Sequence, residues 1–265
     1  MNKSYKTVKL LGVHVCALTM KEVIAECNQA IINKTRFVIG VVNVAKLVNA
    51  RKNPELKLSL EESNITVADG LPVIWLSKLC GKALPERIAG IDIMNELLKL
   101  ASQKHYYVYF LGAKHEVVNK VVEWTQSNHP GVKIAGYRDG YFGADQAEKV
   151  AEDIRKSKAD IIFVAISPPK KEIFLRKYNK LMAVPVCHGV GGSFDVVAGV
   201  TKRAPMWMQR TGLEWFYRVM QEPGRMWKRY LITNSLFLGL ALSEIIKMRL
   251  FSPLTNMFAG QKNKT

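Results

Sequence analysis

The chain has 265 residues, of which 39 are lysine or arginine and 22 are aspartate or glutamate, and its formal net charge is +17. An apolar fraction of 48% is typical of a globular core and excludes a disordered, collagen-like or coiled-coil protein, while the length fits one large α/β domain or one domain with an appendage. The charge excess indicates an anionic partner, and composition alone does not distinguish nucleic acid, an anionic membrane surface and phosphate-bearing substrates.

The N-terminal segment predicts a short opening strand followed by a helix. Residues 10–18 loosely resemble a signal peptide, but His14 interrupts the apolar run and no A-x-A site follows. Thr19 and Glu22 have the spacing of a capping box at a helix start. The cysteines form no C-x-x-C pair, so we expect buried thiols in a reducing cytosol rather than a zinc ribbon or a disulfide scaffold. They are Cys16, Cys27, Cys80 and Cys187.

Strand and helix patterns alternate from residue 37 to about residue 200. Apolar, β-branched runs predict strands at residues 37–43, 64–69, 106–112, 132–137, 160–166 and 185–190. The intervening patterns predict helices at residues 45–52, 71–80, 93–103, 116–127, 145–156 and 171–182. Asp145 is the expected N-cap of the fifth helix. This alternation predicts an α/β fold with a mostly parallel sheet covered by helices on both faces.

The composition changes after residue 200. Between Lys202 and Tyr230 there are seven cations, two acids and interleaved aromatic residues, which predicts a helical appendage over residues 201–250 and a polar tail over residues 251–265. The apolar run at residues 231–246 is shorter and more polar than a spanning helix, so an interfacial or docking helix is expected. Three functions stay open for this basic, aromatic segment: a solvated helix face, a nucleic-acid surface, and a membrane-surface element that also binds diphosphate.

Two features at the predicted strand ends are candidates for chemistry, because ligands of open parallel sheets bind there. Asp69 follows a buried strand and precedes Gly70, so it is either a base or a helix N-cap. Residues 189–193 form a glycine-rich turn, either a phosphate cradle or an ordinary tight turn. This turn matches neither the dinucleotide-binding fingerprint, since Phe194 occupies the third glycine position, nor a Walker A loop. Asp195 binds a sugar hydroxyl or caps a helix.

Other residue types give weaker signals. The chain contains no D-x-D pair, so a D-x-D metal site for a nucleotide diphosphate is not supported. His188 is expected to be a core histidine, and no cysteine–histidine pairing indicates nucleophilic catalysis.

Seven short motifs stand in this order along the chain: Val42-Asn43, Val67-Ala-Asp-Gly-Leu-Pro72, Pro85-Glu-Arg-Ile-Ala-Gly90, Phe110-Leu-Gly112, Gly189-Val-Gly-Gly-Ser-Phe-Asp195, Lys202-Arg-Ala-Pro205 and Gly212-Leu-Glu-Trp215 with Arg218, Glu222-Pro223 and Arg225 after it. In sequence and order, over about residues 8–240, they closely resemble the WecG/TagA/CpsF family (glycosyltransferase family 26).

The resemblance implies a bacterial, inverting and metal-independent glycosyltransferase with no cofactor and no nucleic-acid partner. The implied donor is a UDP-sugar, usually of N-acetylmannosamine or its uronic acid, and the implied acceptor is a polyprenyl-diphosphate-linked sugar of cell-wall or exopolysaccharide synthesis. Residues 1–200 would then be the UDP-sugar-binding catalytic domain. The appendage would bind the lipid diphosphate at an anionic membrane surface, which places the protein in the cytoplasm, peripherally on the inner face of the plasma membrane.

The resemblance also implies roles for single residues. Asp69 matches the family's general base. The expected diphosphate-binding cations of the appendage are Arg218, Arg225 and Lys228. The positions expected to line the donor site are Asn43, Arg87, Gly112, Lys171, Gly191, Gly192 and Asp195.

Two positions depart from the family pattern. Val41 stands where many members have a threonine, and Lys171 stands where many have a glutamine. The lost hydroxyl and the added cation should alter sugar recognition, and Lys171 would pair with a donor phosphate or with an acidic sugar. A non-catalytic nucleotide-sugar-binding or polysaccharide-assembly protein remains the alternative function.

Overall fold

A computed structural model describes residues 5–259, except for the side chains of Arg225 and of residues 248–259. The predicted α/β architecture is confirmed. A two-stranded antiparallel hairpin consists of β1 (Thr7–Leu10) and β2 (Val13–Cys16). A six-stranded sheet has the order β4-β3-β8-β7-β5-β6, and each of its strand pairs is parallel. Its strands are β3 (Phe37–Val42), β4 (Ile65–Ala68), β5 (Tyr107–Gly112), β6 (Lys133–Arg138), β7 (Ile161–Ala165) and β8 (Val186–Gly189).

Helices cover both faces of this sheet, as a parallel sheet requires. The strands β3, β4 and β7 are buried at every position, which explains their continuous apolar runs. The helices are α1 (Met20–Ile32), α2 (Val44–Ala50), α3 (Pro54–Glu61), α4 (Leu71–Leu79), α5 (Gly90–Lys104), α6 (His115–Asn128), α7 (Ala147–Lys156), α8 (Lys170–Met182), α9 (Ser193–Val197), α10 (Met206–Arg210), α11 (Glu214–Gln221) and α12 (Pro223–Ala259).

Three local features differ from the predicted elements. The single opening strand is a hairpin, because Leu11 and Gly12 turn the chain with positive φ angles of 49° and 90°. The predicted Asp145 N-cap is wrong: Asp145 lies in a short 3₁₀ turn, and Gln146 precedes α7. Helix α3 was not anticipated, although Asn53 caps it and Pro54 follows at the first helical position. The predicted capping box at Thr19 is confirmed.

Aromatic packing fixes the glycine-rich turn to the sheet. Phe194, in the first turn of α9, is fully buried, and its ring lies 5.8 Å from that of Phe110 on β5. Phe110 in turn lies 5.8 Å from Phe163 on β7. The turn between β8 and α9 is therefore anchored over the centre of the sheet by the residue that follows it.

The C-terminal part of the described chain is helical, as predicted. Helix α12 packs against α2 and places Phe237 in the same apolar cluster as the N-terminal hairpin. The stretch Met226–Lys247 has the length and composition of a membrane-crossing helix, which corrects the shorter count over residues 231–246. Its contact with α2 gives it one docked face. The last helix also extends to Ala259, past the predicted boundary at residue 250, and residues 260–265 of the predicted tail lie outside the described chain.

Candidate active site

The candidate site lies at the carboxyl ends of three neighbouring strands. Strand β3 is paired with β4 on one side and with β8 on the other, so Asn43, Asp69 and the glycine-rich turn follow adjacent strands. The backbone N–H of Asp69 donates to the carbonyl of Val42 over 2.7 Å, which extends the β3–β4 pairing to the edge of the site. The sheet order therefore brings together candidates that are far apart in the sequence.

The Asp69 carboxylate is half-buried and surrounded by cations. Burial raises its pKa above the ordinary value for aspartate, while the charges of Arg87, Arg218 and Lys46 and a hydrogen bond from the backbone N–H of Gly90 oppose that rise. The helix N-cap alternative for Asp69 is wrong, because Gly70 is the N-cap of α4 and no side chain caps that helix. Asp69 is thus a carboxylate with a raised pKa facing a cationic cluster.

His188 is hydrogen-bonded to Gly90, the residue whose N–H contacts Asp69. The ring is completely buried, as predicted for a core histidine, and burial lowers its pKa to about 4. The neutral ring donates from Nε2 to the carbonyl of Gly90 over 2.9 Å. Gly90 therefore binds His188 through its carbonyl and Asp69 through its N–H.

An ion-pair network joins the core to the C-terminal helices beside Asp69. Arg87 Nη1 lies 2.5 Å from Glu214 Oε2 at the start of α11, and Arg87 Nη2 lies 3.7 Å from Asp92 Oδ2 on α5. Arg203 contacts the same Asp92 carboxylate, with Nη1 2.7 Å from Oδ1. The charges of Asp69 and Arg218 also act on Glu214, so these groups share one electrostatic environment.

A second cluster lies under the glycine-rich turn. Lys46 Nζ is 2.9 Å from Glu172 Oε1 and donates to the carbonyl of Val41 over 2.5 Å, and Lys171 pairs with the same glutamate. Burial and the neighbouring Lys46 charge lower the pKa of Lys171 to about 7. Burial disfavours ionised Glu172, yet the two ammonium groups hold its pKa at about 2. Two lysines therefore share one buried carboxylate.

The glycine turn lies directly on Lys171. A Cβ atom at Gly189 would approach Lys171 Cε to 3.2 Å, and Gly191 has a φ of +55° that favours glycine. Asp195 lies within the first turn of α9, and Gly192 is the N-cap, so the helix N-cap alternative for Asp195 is wrong. The turn has close backbone packing over a buried cation.

Two other predicted site residues, Asn43 and Gly112, also have structural roles in the fold. The Oδ1 atom of Asn43 accepts from the backbone N–H of Lys46 over 3.0 Å and caps α2. Gly112, the last residue of β5, has a φ of +127° and lies so close to β7 that a Cβ would be 2.5 Å from the carbonyl carbon of Ala165. Gly112 is therefore at the same sheet edge but beyond β7, on the far side of the glycine turn.

The appendage cations are placed differently from one another. Arg218 is exposed on α11, and its charge reaches both Asp69 and Glu214. Lys228 is exposed on α12. The side chain of Arg225 lies outside the described part of the structure. In the residues that are described, no group of three or more His, Cys, Asp or Glu side chains is placed to hold a metal ion.

The comparison with known proteins decides the family. A profile described as "Glycosyl transferase WecG/TagA/CpsF family" matches residues 8–250. The chain belongs to this family. Two similar proteins, from Bacillus spizizenii and Bacillus subtilis, are each named N-acetylglucosaminyldiphosphoundecaprenol N-acetyl-beta-D-mannosaminyltransferase. They are 42% and 41% identical to it, and each match covers 75% of this chain and 76% of the relative.

This WecG/TagA/CpsF protein is a glycosyltransferase, so the non-catalytic alternative is set aside. Sequence reasoning missed several charged residues of its site. Arg203 and Glu214 stood in motifs that carried the resemblance, but the charge partners of a motif residue cannot be read from spacing. Lys46 gave no signal, since it lies inside a helix and reaches the site only through its long side chain. The missed residues are Lys46, Asp92, Glu172, Arg203 and Glu214.

Proposed function

We propose that this glycosyltransferase moves a sugar from a UDP-sugar to a saccharide carried on polyprenyl diphosphate, with inversion at the anomeric carbon. The observation that carries the proposal is the Asp69 carboxylate, whose pKa is raised by burial at a strand end and which faces Arg87, Arg218 and Lys46. A base with a raised pKa takes a proton more readily than an ordinary aspartate. The names of the two relatives support N-acetylmannosamine as the sugar and a diphosphoundecaprenol-linked acceptor.

In the proposed reaction, the UDP-sugar lies across the strand ends near Gly112 and the turn at Gly191 and Gly192. Asp69 removes the proton from an acceptor hydroxyl as its oxygen forms a bond to the anomeric carbon. The bond from that carbon to the UDP oxygen breaks on the opposite face, and UDP leaves with the electron pair. General-base assistance of this kind contributes about 10²- to 10⁴-fold to the rate.

Cations near the site would stabilise the charge that develops on UDP. Lys171 is buried against the glycine turn, where its Cε atom would lie 3.2 Å from a Cβ at Gly189 and 3.9 Å from one at Gly191, and it is paired with Glu172. We assign the donor diphosphate to this side and the lipid diphosphate to Arg218, Arg225 and Lys228. Asn43, Arg87 and Asp195 complete the proposed donor site. The lysine at position 171 distinguishes this chain from relatives with glutamine there and is expected to shift its preference among donor sugars.

The C-terminal helices are the proposed membrane-binding element. Large apolar side chains on α10, α11 and α12 are exposed between cations, and this combination suits the headgroup region of an anionic bilayer. An acceptor with a polyprenyl chain also has to be met at a membrane. We therefore propose a cytoplasmic protein bound peripherally to the inner face of the plasma membrane. The exposed residues are Met206, Trp207, Trp215, Phe216, Met220, Trp227, Leu231, Ile232, Leu236, Leu238, Leu242 and Ile246.

The proposal is tested by incubating the purified protein with a panel of UDP-sugars and an N-acetylglucosaminyl polyprenyl diphosphate in detergent. UDP release and a disaccharide product are expected with at least one donor, UDP-N-acetylmannosamine first among them. The product linkage should have the anomeric configuration opposite to that of the donor. Absence of transfer from every UDP-sugar, with other nucleotide-sugars active, would contradict the proposed donor class.

A further inference from the structure

The ion pair between Arg87 and Glu214 joins two parts of the chain that are 127 residues apart. Arg87 precedes α5 in the α/β core, and its side chain is only 13% exposed. Glu214 is the first residue of α11, and its side chain is 30% exposed. Burial raises the pKa of Glu214, Arg87 opposes that rise, and the negative charge of Asp69 adds to it. Glu214 therefore lies near a second carboxylate, Asp69, and the charge of Arg87 stabilises its ionised form.

Helix α11 contacts its neighbours through partly exposed side chains, among them Trp215, whose ring lies 5.9 Å from that of Tyr230 on α12. None of its residues is buried. Polar contacts tie both of its ends: Glu214 binds Arg87, and Gln221 exchanges two hydrogen bonds with the backbone of Lys202, over 2.9 and 3.0 Å. Arg218 lies one turn after Glu214 on the same side of the helix. Polar groups therefore help to fix both ends of α11, and the contact at its first residue uses an arginine of the candidate site.

A carboxylate and a phosphate use the same geometry on a guanidinium, two oxygens facing two N–H groups. Glu214 contacts Arg87 through one such pair, Oε2 with Nη1, and so occupies a position that a phosphate oxygen of a substrate would also take. Asp92 keeps its own contacts with Arg87 and Arg203 on the far side of the network. A diphosphate bound between Arg87 and Arg218 would repel Glu214 and destabilise its ion pair with Arg87. By linkage, the ion pair would weaken diphosphate binding by the same free energy.

We propose that Glu214 is an internal competitor for the diphosphate-binding arginines, so that binding of a diphosphate ester at Arg87 and Arg218 displaces Glu214 and releases the first turn of α11. The proposal rests on the proposed function, because that function supplies the diphosphate substrates. It assigns to Glu214 a role in substrate affinity and in the coupling of α11 to the site. Glu214 is a positioning residue here and takes no part in the bond changes.

The first test is calorimetric titration of the full-length protein with inorganic pyrophosphate, UDP and farnesyl diphosphate. Glu214→Gln removes the competing charge and should tighten pyrophosphate binding about fivefold, as expected for loss of one partly exposed ion pair. Tightening for UDP alone would place the donor diphosphate at Arg87, and tightening for farnesyl diphosphate alone would place the lipid diphosphate there. Unchanged or weaker pyrophosphate binding by folded Glu214→Gln protein would overturn the proposal.

Two matched variants separate competition from simpler effects. Glu96→Gln removes one negative charge from the neighbouring helix α5, where Glu96 pairs with Lys99, and should leave pyrophosphate affinity unchanged. Gln221→Ala removes the hydrogen bonds between the other end of α11 and Lys202 but leaves the Arg87–Glu214 ion pair in place. Its pyrophosphate affinity should also be unchanged. Equal tightening in either variant would attribute the gain to net charge or to a looser helix, and would overturn the proposal.

Carboxylate footprinting of the wild-type protein tests the displacement without any substitution. Carbodiimide coupling with glycine ethyl ester should label Glu214 faster when pyrophosphate is present, while labelling of the exposed Glu148 on α7 stays constant. Unchanged labelling of Glu214 at saturating pyrophosphate would overturn the proposal. The transfer assay is scored separately: sugar transfer without these Glu214 effects refutes only the competitor role, and these effects without transfer refute only the proposed function.

Discussion

At the scale of single residues, Gly90 connects the buried histidine to the candidate base. Its carbonyl accepts from His188 and its N–H donates to Asp69, so the orientation of one peptide group depends on both side chains. The ring of His188 also packs edge-on against Phe163, with centroids 6.2 Å apart. Residue patterns predicted Asp69 at a strand end and His188 in the core. Their link through Gly90 could not be predicted, because it depends on where α5 begins in three dimensions.

Replacing His188 tests this link. His188→Phe removes the donor to Gly90 but keeps an aromatic ring, and should lower kcat/KM about tenfold by misplacing Asp69. Phe163→Leu disturbs the packing of the ring and keeps its hydrogen bond, so its activity should stay closer to that of the wild type. Wild-type activity in His188→Phe protein would show that Asp69 needs no support from this side.

The same variant has a distinct pH signature. The pKa of His188 is about 4 in the folded protein and about 6.5 in an unfolded chain, so the unfolded chain binds more protons between these values. The wild type should therefore lose stability as the pH falls from 6.5 to 4, and His188→Phe should lack that part of the loss. Urea unfolding at several pH values measures the difference, and parallel curves for the two proteins would contradict it.

Because two lysines share the carboxylate of Glu172, substitutions at Glu172 and at Lys171 should affect the free energy of unfolding differently. Glu172→Gln leaves two ammonium groups without their buried anion and should cost about 3–5 kcal/mol in the free energy of unfolding. Lys171→Met leaves Lys46 paired with Glu172 and should be neutral or stabilising at pH 7, because it removes a buried ammonium whose pKa is already lowered to about 7. Urea midpoints test this contrast, and a larger loss in Lys171→Met would reverse the assignment.

At the scale of elements, apolar runs and cap residues predicted the six strands of the main sheet and most of the helices. The failures have local causes. The Leu11-Gly12 turn lies within an apolar run and therefore hid a hairpin. Helix α3 is short, and its exposed Leu58 lies between the buried Leu56 and Leu60, so the apolar residues alternate and hide the helical period. The last helix contains both buried and exposed apolar residues, and composition alone could not assign its faces.

Helix α12 allows those two faces to be tested separately. Phe237 is buried against α2 and the hairpin, so Phe237→Ala should cost about 3–5 kcal/mol of stability. Leu238 is 69% exposed, so Leu238→Asp should change stability by less than about 0.5 kcal/mol. If the exposed face binds membranes, Leu238→Asp should reduce co-sedimentation with anionic vesicles about tenfold. Unaltered sedimentation would mean that this face does not enter the bilayer.

At the scale of the whole molecule, the fold brings the C-terminal helices to the strand ends. The alternating pattern predicted a parallel sheet, but not the order that places β3 between β4 and β8. The contact of Glu214 with Arg87 also depends on that order and on the path of the chain after α9. Residue types and motifs therefore predicted that Asn43, Asp69 and the glycine-rich turn follow strands of one sheet, while the adjacency of those strands and the contacts of Lys46 and Glu214 required the structure.

The role of Asp69 is tested most directly by the turnover of Asp69→Asn protein with a UDP-sugar and a polyprenyl-diphosphate acceptor. The substitution removes the proton acceptor at nearly constant shape, so turnover should fall about 10²- to 10⁴-fold while UDP still binds. Asp153→Asn, on α7 and away from the strand ends, is the matched control; Asp153 pairs there with Lys156, and this variant should keep wild-type turnover. Near-normal turnover of Asp69→Asn protein would contradict its assignment as the base.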